Sequence, residues 1–213
     1  MYKLYDGQAT SGVTARAALA EIEAPFDLVE IDLGAGAQRS DEYARINPCQ
    51  QVPALVLPNG SVLTECIAIL MHLADAHPEA SLAPPCGSVE RAQINRWLSF
   101  FVMNIYGPEY LRMRPAFYTT DPSGAAGIAE AATAYLIRHY SLFEAALGVG
   151  PYFLGDRFSI LDIYVWMITQ WWGDYEGMRR DWPKTYGLVT TVMARPKIKP
   201  VHDEHFGPGI GGG

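Results

Sequence analysis

Two stretches of this 213-residue chain place chemistry-bearing side chains beside segments apolar enough to be buried. The first is YDGQATSGVTAR, residues 5–16, where Thr10 and Ser11 stand between a strand-like run and an Ala-rich helical one. A hydroxyl in that position can cap the helix. With the helix's positive end it can also meet an anionic group. The second stretch is NPCQQVPALVLPNGSVLTECIAI, residues 47–69. It sets the Val52-Pro53 step directly before an apolar strand, and Glu65 and Cys66 where strand turns into helix. Backbone amides at such a turn have no intrahelical partners and attract anionic groups. A plain alternative for Glu65 is a first-turn carboxylate favoured by the helix dipole, and for Val52-Pro53 an ordinary trans proline opening a strand.

The elements that must position these residues follow from periodicity. YKLY, then SGVTARAALAEI at helical spacing, then FDLVEIDL alternating at period two read as a βαβ unit over residues 2–33. A short helix around SDEYARI leads to VPALVL, PNG turns the chain, and SVL completes an antiparallel hairpin before the helix TECIAILMHLADA. Residues 1–76 thus read βαβαββα, a small α/β domain with a mixed sheet. HPEASLAPPCG supplies a Pro-rich linker over 77–87. Beyond it only helical patterns occur, among them VERAQINRWLSFFVMNIYGPEYL, GIAEAATAYLIRHYSLFEAAL, SILDIYVWMITQWW and TYGLVTTVMA, so residues 88–206 form an all-helical domain. Ser159 and Asp162 have the S-x-x-D spacing of a capping box, and the apolar face that follows marks a core helix. A flexible Gly-rich tail is expected over 207–213.

Composition narrows the function. With 49% apolar residues the chain can fill a core, and its net charge of −7 without clustered Lys or Arg argues against nucleic acid as a partner. No run of about 18 uncharged apolar residues is present, and the chain opens on a strand rather than a basic-then-apolar leader. A soluble, unexported protein with no membrane partner is expected. Cys49, Cys66 and Cys86 form no CxxC pair, which fits a reducing, cytoplasmic compartment. The five histidines are scattered apart from His202 and His205, so no metal site is expected.

Three separated motifs resemble one family across almost the whole chain. NPCQQVPALVL is similar to an Asn-Pro-x-Gly-x-Val-Pro-x-Leu stretch, LTECIAI to Leu-x-Glu-Ser-x-Ala-Ile, and FLGDRFSILDIYV to a buried capping-box helix, with ARPKIKPV also in register. Together they resemble the cytosolic glutathione S-transferases of bacterial type. The resemblance implies a thioredoxin-like amino-terminal domain followed by an all-helical one.

It also implies a site. Val52 and the cis-forming Pro53 would present backbone to the cysteinyl part of glutathione, with Gln51 against its peptide backbone. Glu65 and the amides at Glu65 and Cys66 would hold the γ-glutamyl end. Ser11 falls where bacterial relatives carry a Cys and would stabilise the thiolate. Thr10 takes that place after a one-residue slip, and Tyr5 is a third candidate. Tyr106, Tyr110 and Arg112 would bind the electrophile over the helical domain. The chain departs from the family at Gln50, where Gly is usual, and at Cys66, where Ser is usual.

The activity implied is transfer of glutathione, as co-substrate, to a small hydrophobic electrophile in detoxification, with peroxide reduction as a further use, by a cytoplasmic homodimer. Alternatives are a glutathione-dependent isomerase or ether-cleaving enzyme, and a non-catalytic binding or regulatory protein on the same fold. The first loop lacks both the SSCS-like run of maleylacetoacetate isomerase relatives and any cysteine for thiol exchange.

Overall fold

The computed structural model describes residues 1–207. It divides into two compact units, one of Met1–Pro84 joined by the chain from Val192 onward, the other Pro85–Thr191.

The first unit contains β1 (Tyr2–Asp6), α1 (Val13–Glu21), β2 (Phe26–Glu30), α2 (Asp41–Ile46), β3 (Ala54–Val56), β4 (Val62–Thr64) and α3 (Cys66–Ala76). This is the βαβαββα order read from the sequence. The sheet order is β2-β1-β3-β4, with β1 parallel to β2 and antiparallel to β3, and β3 antiparallel to β4. The crossover through α1 allows the first pair to be parallel, and the PNG turn makes the last pair antiparallel. Leu4 on β1 and Leu55 on β3 are paired and fully buried, and α1 and α3 contribute Leu19, Ile69, Leu70 and Leu73 to the same core. Ser40 caps α2 by accepting from the Tyr43 amide at 3.1 Å.

The registers Tyr5↔Ala54 and Ala54↔Thr64 have a functional consequence. They bring the end of β1, the approach to β3 and the end of β4 to one end of the sheet. The loops holding Thr10 and Ser11, Gln51 to Pro53, and Glu65 and Cys66 therefore leave the sheet together.

The second unit is helical: α4 (Val89–Phe101), α5 (Gly107–Met113), α6 (Ala125–Ala146), α7 (Ile160–Gln170), α8 (Tyr175–Asp181) and most of α9 (Pro183–Met193). Every residue of α7 is buried. Phe143 packs edge to face against both Trp97 and Phe101, with centroids 5.2 and 4.8 Å apart. The capping box at the start of α7 is formed as the sequence predicts. Buried Asp162 accepts from the Ser159 amide at 2.8 Å and the Ser159 hydroxyl at 2.7 Å, and also from the Phe153 amide at 2.8 Å, which ties the preceding loop to the helix. Burial pushes this carboxyl up to about 6 against those donors.

Two differences from the sequence reading have local causes. The long helical pattern 89–113 is interrupted by a π-helical segment at Val102–Tyr106. There the Asn104 side-chain amide donates to the Phe100 carbonyl and its oxygen accepts from the Tyr135 hydroxyl, at 3.1 and 2.7 Å. The helical domain expected over 88–206 ends earlier, because α10 (Lys199–Phe206) belongs to the first unit. Arg195 pairs with Glu21 at 2.7 Å, and Arg16 pairs with Glu204 at 2.5 Å, so the chain's last described helix is tied to α1. The expected tail lies, past Gly207, outside the described residues.

Replacing Asp162 by Ala strands two backbone amides and should cost about 2–4 kcal/mol of folding stability in urea unfolding. Asp162→Asn should cost less, since it keeps one acceptor. Equal stability of wild type and Asp162→Ala would contradict this account of the cap.

Candidate functional site

The turn before β3 is built from side chains that grip backbone. The Gln51 carbonyl accepts from the Tyr43 hydroxyl and from the Asn47 side-chain amide, both at 2.7 Å. The Cys49 amide donates to the Asn47 side-chain oxygen at 3.1 Å, and the Gln50 amide to the Asn47 carbonyl at 2.8 Å. Gln50 thereby sits in the left-handed region, at φ 54°. The Val52-Pro53 peptide is cis, as the resemblance implies, and the trans alternative does not hold. Pro53 is buried and Val52 half-buried. Among the described residues neither the Val52 amide nor its carbonyl takes part in a hydrogen bond.

The turn from β4 into α3 is also strained. Exposed Glu65 holds φ 65° and ψ 110°, and α3 begins at buried Cys66 with no side-chain cap for its first amides. Glu65 is the N-cap residue of α3, at the helix's positive end, where the dipole favours its carboxylate. A helix start without a cap offers donors and a positive dipole end to an anion.

The loop from Gly7 to Gly12 joins β1 to α1. The Thr10 hydroxyl donates to Asp6 Oδ1 at 2.5 Å and accepts from the Gly12 amide at 3.1 Å. Ser11 is 3% exposed, and its carbonyl accepts from the Thr14 amide at 3.2 Å and the Thr14 hydroxyl at 2.7 Å. The cap position of α1 is Gly12, which has no side chain to cap with, and its own amide donates to the Thr10 hydroxyl. Tyr5 points to the other face of β1 and lies 5.8 Å, centroid to centroid, from the Tyr43 ring. From the far end of the chain, His205 Nδ1 lies 3.2 Å from the Ala9 amide, and the Gln8 side chain donates to the Glu204 carbonyl at 2.9 Å. Arg16 meets both Glu204 and His205 Nε2. Burial, then the Arg16 charge, lowers His205 to about 4, so its ring is neutral near pH 7.

Asp6 was not among the candidates, although a signal existed. Alternation along YKLYD puts it on the face of buried Tyr2 and Leu4, a carboxylate where the strand period calls for an apolar side chain. It is 2% exposed, and burial pushes it up to about 6 against the hydroxyl of Thr10, the Gly7 amide and the Arg16 charge. Tyr43, in turn, is pushed up to about 12 by burial and by Asp6.

In the second unit the π-helical segment ends at Tyr106, whose ring lies 5.4 Å from that of Tyr110 and 5.3 Å from Trp171. Trp171, unflagged as a site residue in the sequence, completes an aromatic trio. Arg112 is committed elsewhere: it donates to Glu109 at 2.8 Å and to the Trp171 carbonyl at 2.6 Å. Glu109 is fully buried and raised by that burial, with the Arg112 charge opposing. Among the described residues no group of three or more His, Cys, Asp or Glu could hold a metal ion, and no helix is long and apolar enough to cross a membrane.

Left-handed backbone costs a side chain about 1–2 kcal/mol, part of which glycine gives back as unfolded-chain entropy. Gln50→Gly should therefore stabilise the first unit by up to about 1 kcal/mol in thermal unfolding. A lower melting temperature would show that the Gln50 side chain contributes more than its backbone costs.

The family models for the glutathione S-transferase N-terminal and C-terminal domains match residues 1–75 and 126–195. Glutathione S-transferase GstA of Escherichia coli O157:H7 is 29% identical over 170 residues, 79% of this chain and 81% of that protein. Glutathione S-transferase GST-4.5 of Xanthomonas campestris is 30% identical over 151 residues, 69% and 71% of the two chains. A glutathione transferase homologue from Sulfitobacter, solved with bound glutathione, superposes with a TM-score of 0.87 at 25% identity, over 97% of this chain and 99% of that one. The fold, the cis Val52-Pro53 step and these likenesses agree: the chain belongs to the glutathione S-transferase family.

Proposed function

We propose that the protein binds glutathione at the shared end of its sheet and activates the thiol for attack on a small hydrophobic electrophile. The observation that carries this reading is the register that gathers Val52, Glu65 and the Ser11 loop at one sheet end. The unpaired Val52 amide and carbonyl take the cysteinyl residue as an added strand, and exposed Gln51 contacts the peptide backbone beside it. Pro53 keeps Val52 turned outward. The Glu65 carboxylate pairs with the γ-glutamyl ammonium, while the amides of Glu65 and Cys66 hold its carboxylate.

The Ser11 hydroxyl donates to the sulfur and, with the start of α1, favours the thiolate, the reactive form of a group whose free pKa is about 8.5. The thiolate then forms a bond to the electrophilic carbon. A leaving group departs with the displaced electron pair, or in addition a proton is taken up from solvent. Tyr106 and Tyr110, with Trp171, receive the apolar body of the electrophile. Arg112 contributes by holding the Trp171 carbonyl. Peroxide reduction by the same thiolate is a further use of the site.

Cytoplasmic detoxification by a homodimer completes the reading. No disulfide joins Cys49, Cys66 and Cys86, which accords with a reducing compartment.

Retention on immobilised glutathione, followed by ultraviolet titration of the bound thiol, tests the reading. The bound thiol should titrate at least about one unit below free glutathione, and Ser11→Ala should reverse that shift and lower kcat/KM about 100-fold at pH 7. No retention would refute glutathione binding, and retention with an unshifted thiol would favour a non-catalytic binding protein. Cys66→Ser replaces a weak S–H donor with a hydroxyl and should tighten glutathione binding about fivefold, close to 1 kcal/mol by calorimetry. Unchanged binding would place the Cys66 side chain outside the glutathione contacts.

A further inference from the structure

Asp6 is a buried charge-bearing group that the proposed reaction does not use, and its surroundings are specific. One carboxylate oxygen receives the Thr10 hydroxyl at 2.5 Å. The other, Oδ2, is buried with no hydrogen-bond partner, as is Arg16 Nε. Both residues line a cavity of about 10 Å³ with Gly7, Gln8, Leu28, Glu30 and His205. On the remaining side Gly12 leaves the room the carboxylate needs, since a Cβ there would stand 1.9 Å from Oδ1. The bare backbone of Gly12, the Thr10 hydroxyl and the carboxylate therefore fit as one assembly at the foot of the loop that carries Ser11.

An ionised carboxylate only accepts, so the bond between Thr10 and Asp6 has one direction: the Thr10 proton points at Asp6. The Thr10 oxygen is then oriented to accept from the Gly12 amide, as observed at 3.1 Å. We propose that Asp6 is a positioning residue for the thiolate loop, its carboxylate holding the Thr10 proton so that Thr10 braces the start of α1 and its hydroxyl is committed to the loop instead of to the glutathione sulfur. This rests on the transferase reading given above.

Protonating Asp6 removes the constraint. A proton taken up from solvent makes the carboxyl a donor, the Thr10 hydroxyl can accept it, and the Thr10 proton is then free to leave Asp6. Arg16 favours the ionised form, Glu30 disfavours it, and Tyr43 and neutral His205 face the group from α2 and α10. Burial outweighs these and brings the change to about pH 6.

Competent enzyme then requires two ionisations, the bound thiol and Asp6. In the wild type, log kcat/KM with a chloronitrobenzene electrophile should fall below pH 6 with a slope approaching about 2. Asp6→Asn, which keeps an acceptor for Thr10 but cannot titrate, should reduce the slope to about 1. Thr10→Val should do the same by removing the group through which Asp6 acts, and serves alone if Asp6→Asn does not fold. A slope of about 1 in the wild type, or of about 2 surviving either substitution, overturns the role of Asp6. If the wild type shows no thiolate absorbance with bound glutathione at pH 8, the transferase reading fails instead, and the inference with it.

Discussion

The carbonyl of Gln51 is held by two donors, the Tyr43 hydroxyl and the Asn47 side-chain amide, and the architecture of the end of the sheet where the three loops meet depends on that grip. Both donors come from α2 or its exit, so the helix between β2 and β3 is what fixes the chain as it approaches β3. Val52 follows the fixed Gln51 and precedes buried Pro53, and among the described residues its amide and carbonyl take no part in the sheet's own ladder. A backbone segment that neither pairs internally nor lies exposed along its whole length is suited to a short peptide ligand.

The same end of the sheet concentrates backbone strain. Ala9, Gln50 and Glu65 are three of the five non-glycine residues with positive φ among the described residues, and each lies in a different one of the three converging loops. Left-handed conformations of this kind cost free energy and persist where surrounding contacts over-determine them. Those contacts are visible: His205 at the Ala9 amide, Asn47 around Gln50, and the α3 hydrogen bond from the Ile69 amide to the Glu65 carbonyl at 3.0 Å. In the proposed reading the strain is what keeps the donors and acceptors for glutathione in place before the ligand arrives.

Much of this was legible in the sequence because it depends on local rules. Strand alternation, the PNG turn, and the Ser159–Asp162 spacing each encode their own element, and the order βαβαββα restricts the sheet to a mixed one. What escaped depends on contacts between distant residues. The π-helical segment at Val102–Tyr106 arises where Asn104 binds Phe100 and Tyr135, and α10 joins the first unit through Arg16, Glu204 and the Arg195–Glu21 pair. Asp6 is an intermediate case: the alternation marked it as inward, but an acid at an inward position has meaning only once Thr10, Gly12 and Arg16 are seen around it. The candidate residues divide likewise. Val52, Pro53, Glu65 and Ser11 share one sheet end by register, whereas the tyrosines gained Trp171 as a partner and Arg112 turned out to be occupied with Glu109 and a backbone carbonyl.

The central claim is that glutathione docks on the backbone of Val52 and on the start of α3. Titrating the nitrogen-labelled protein with glutathione while recording amide resonances tests it directly. The account predicts that the Val52, Glu65 and Cys66 amides show the largest and saturating shifts, with the Val52 amide newly protected from hydrogen exchange. Saturating shifts confined to other segments, with Val52 unmoved and still exchanging freely, would contradict it.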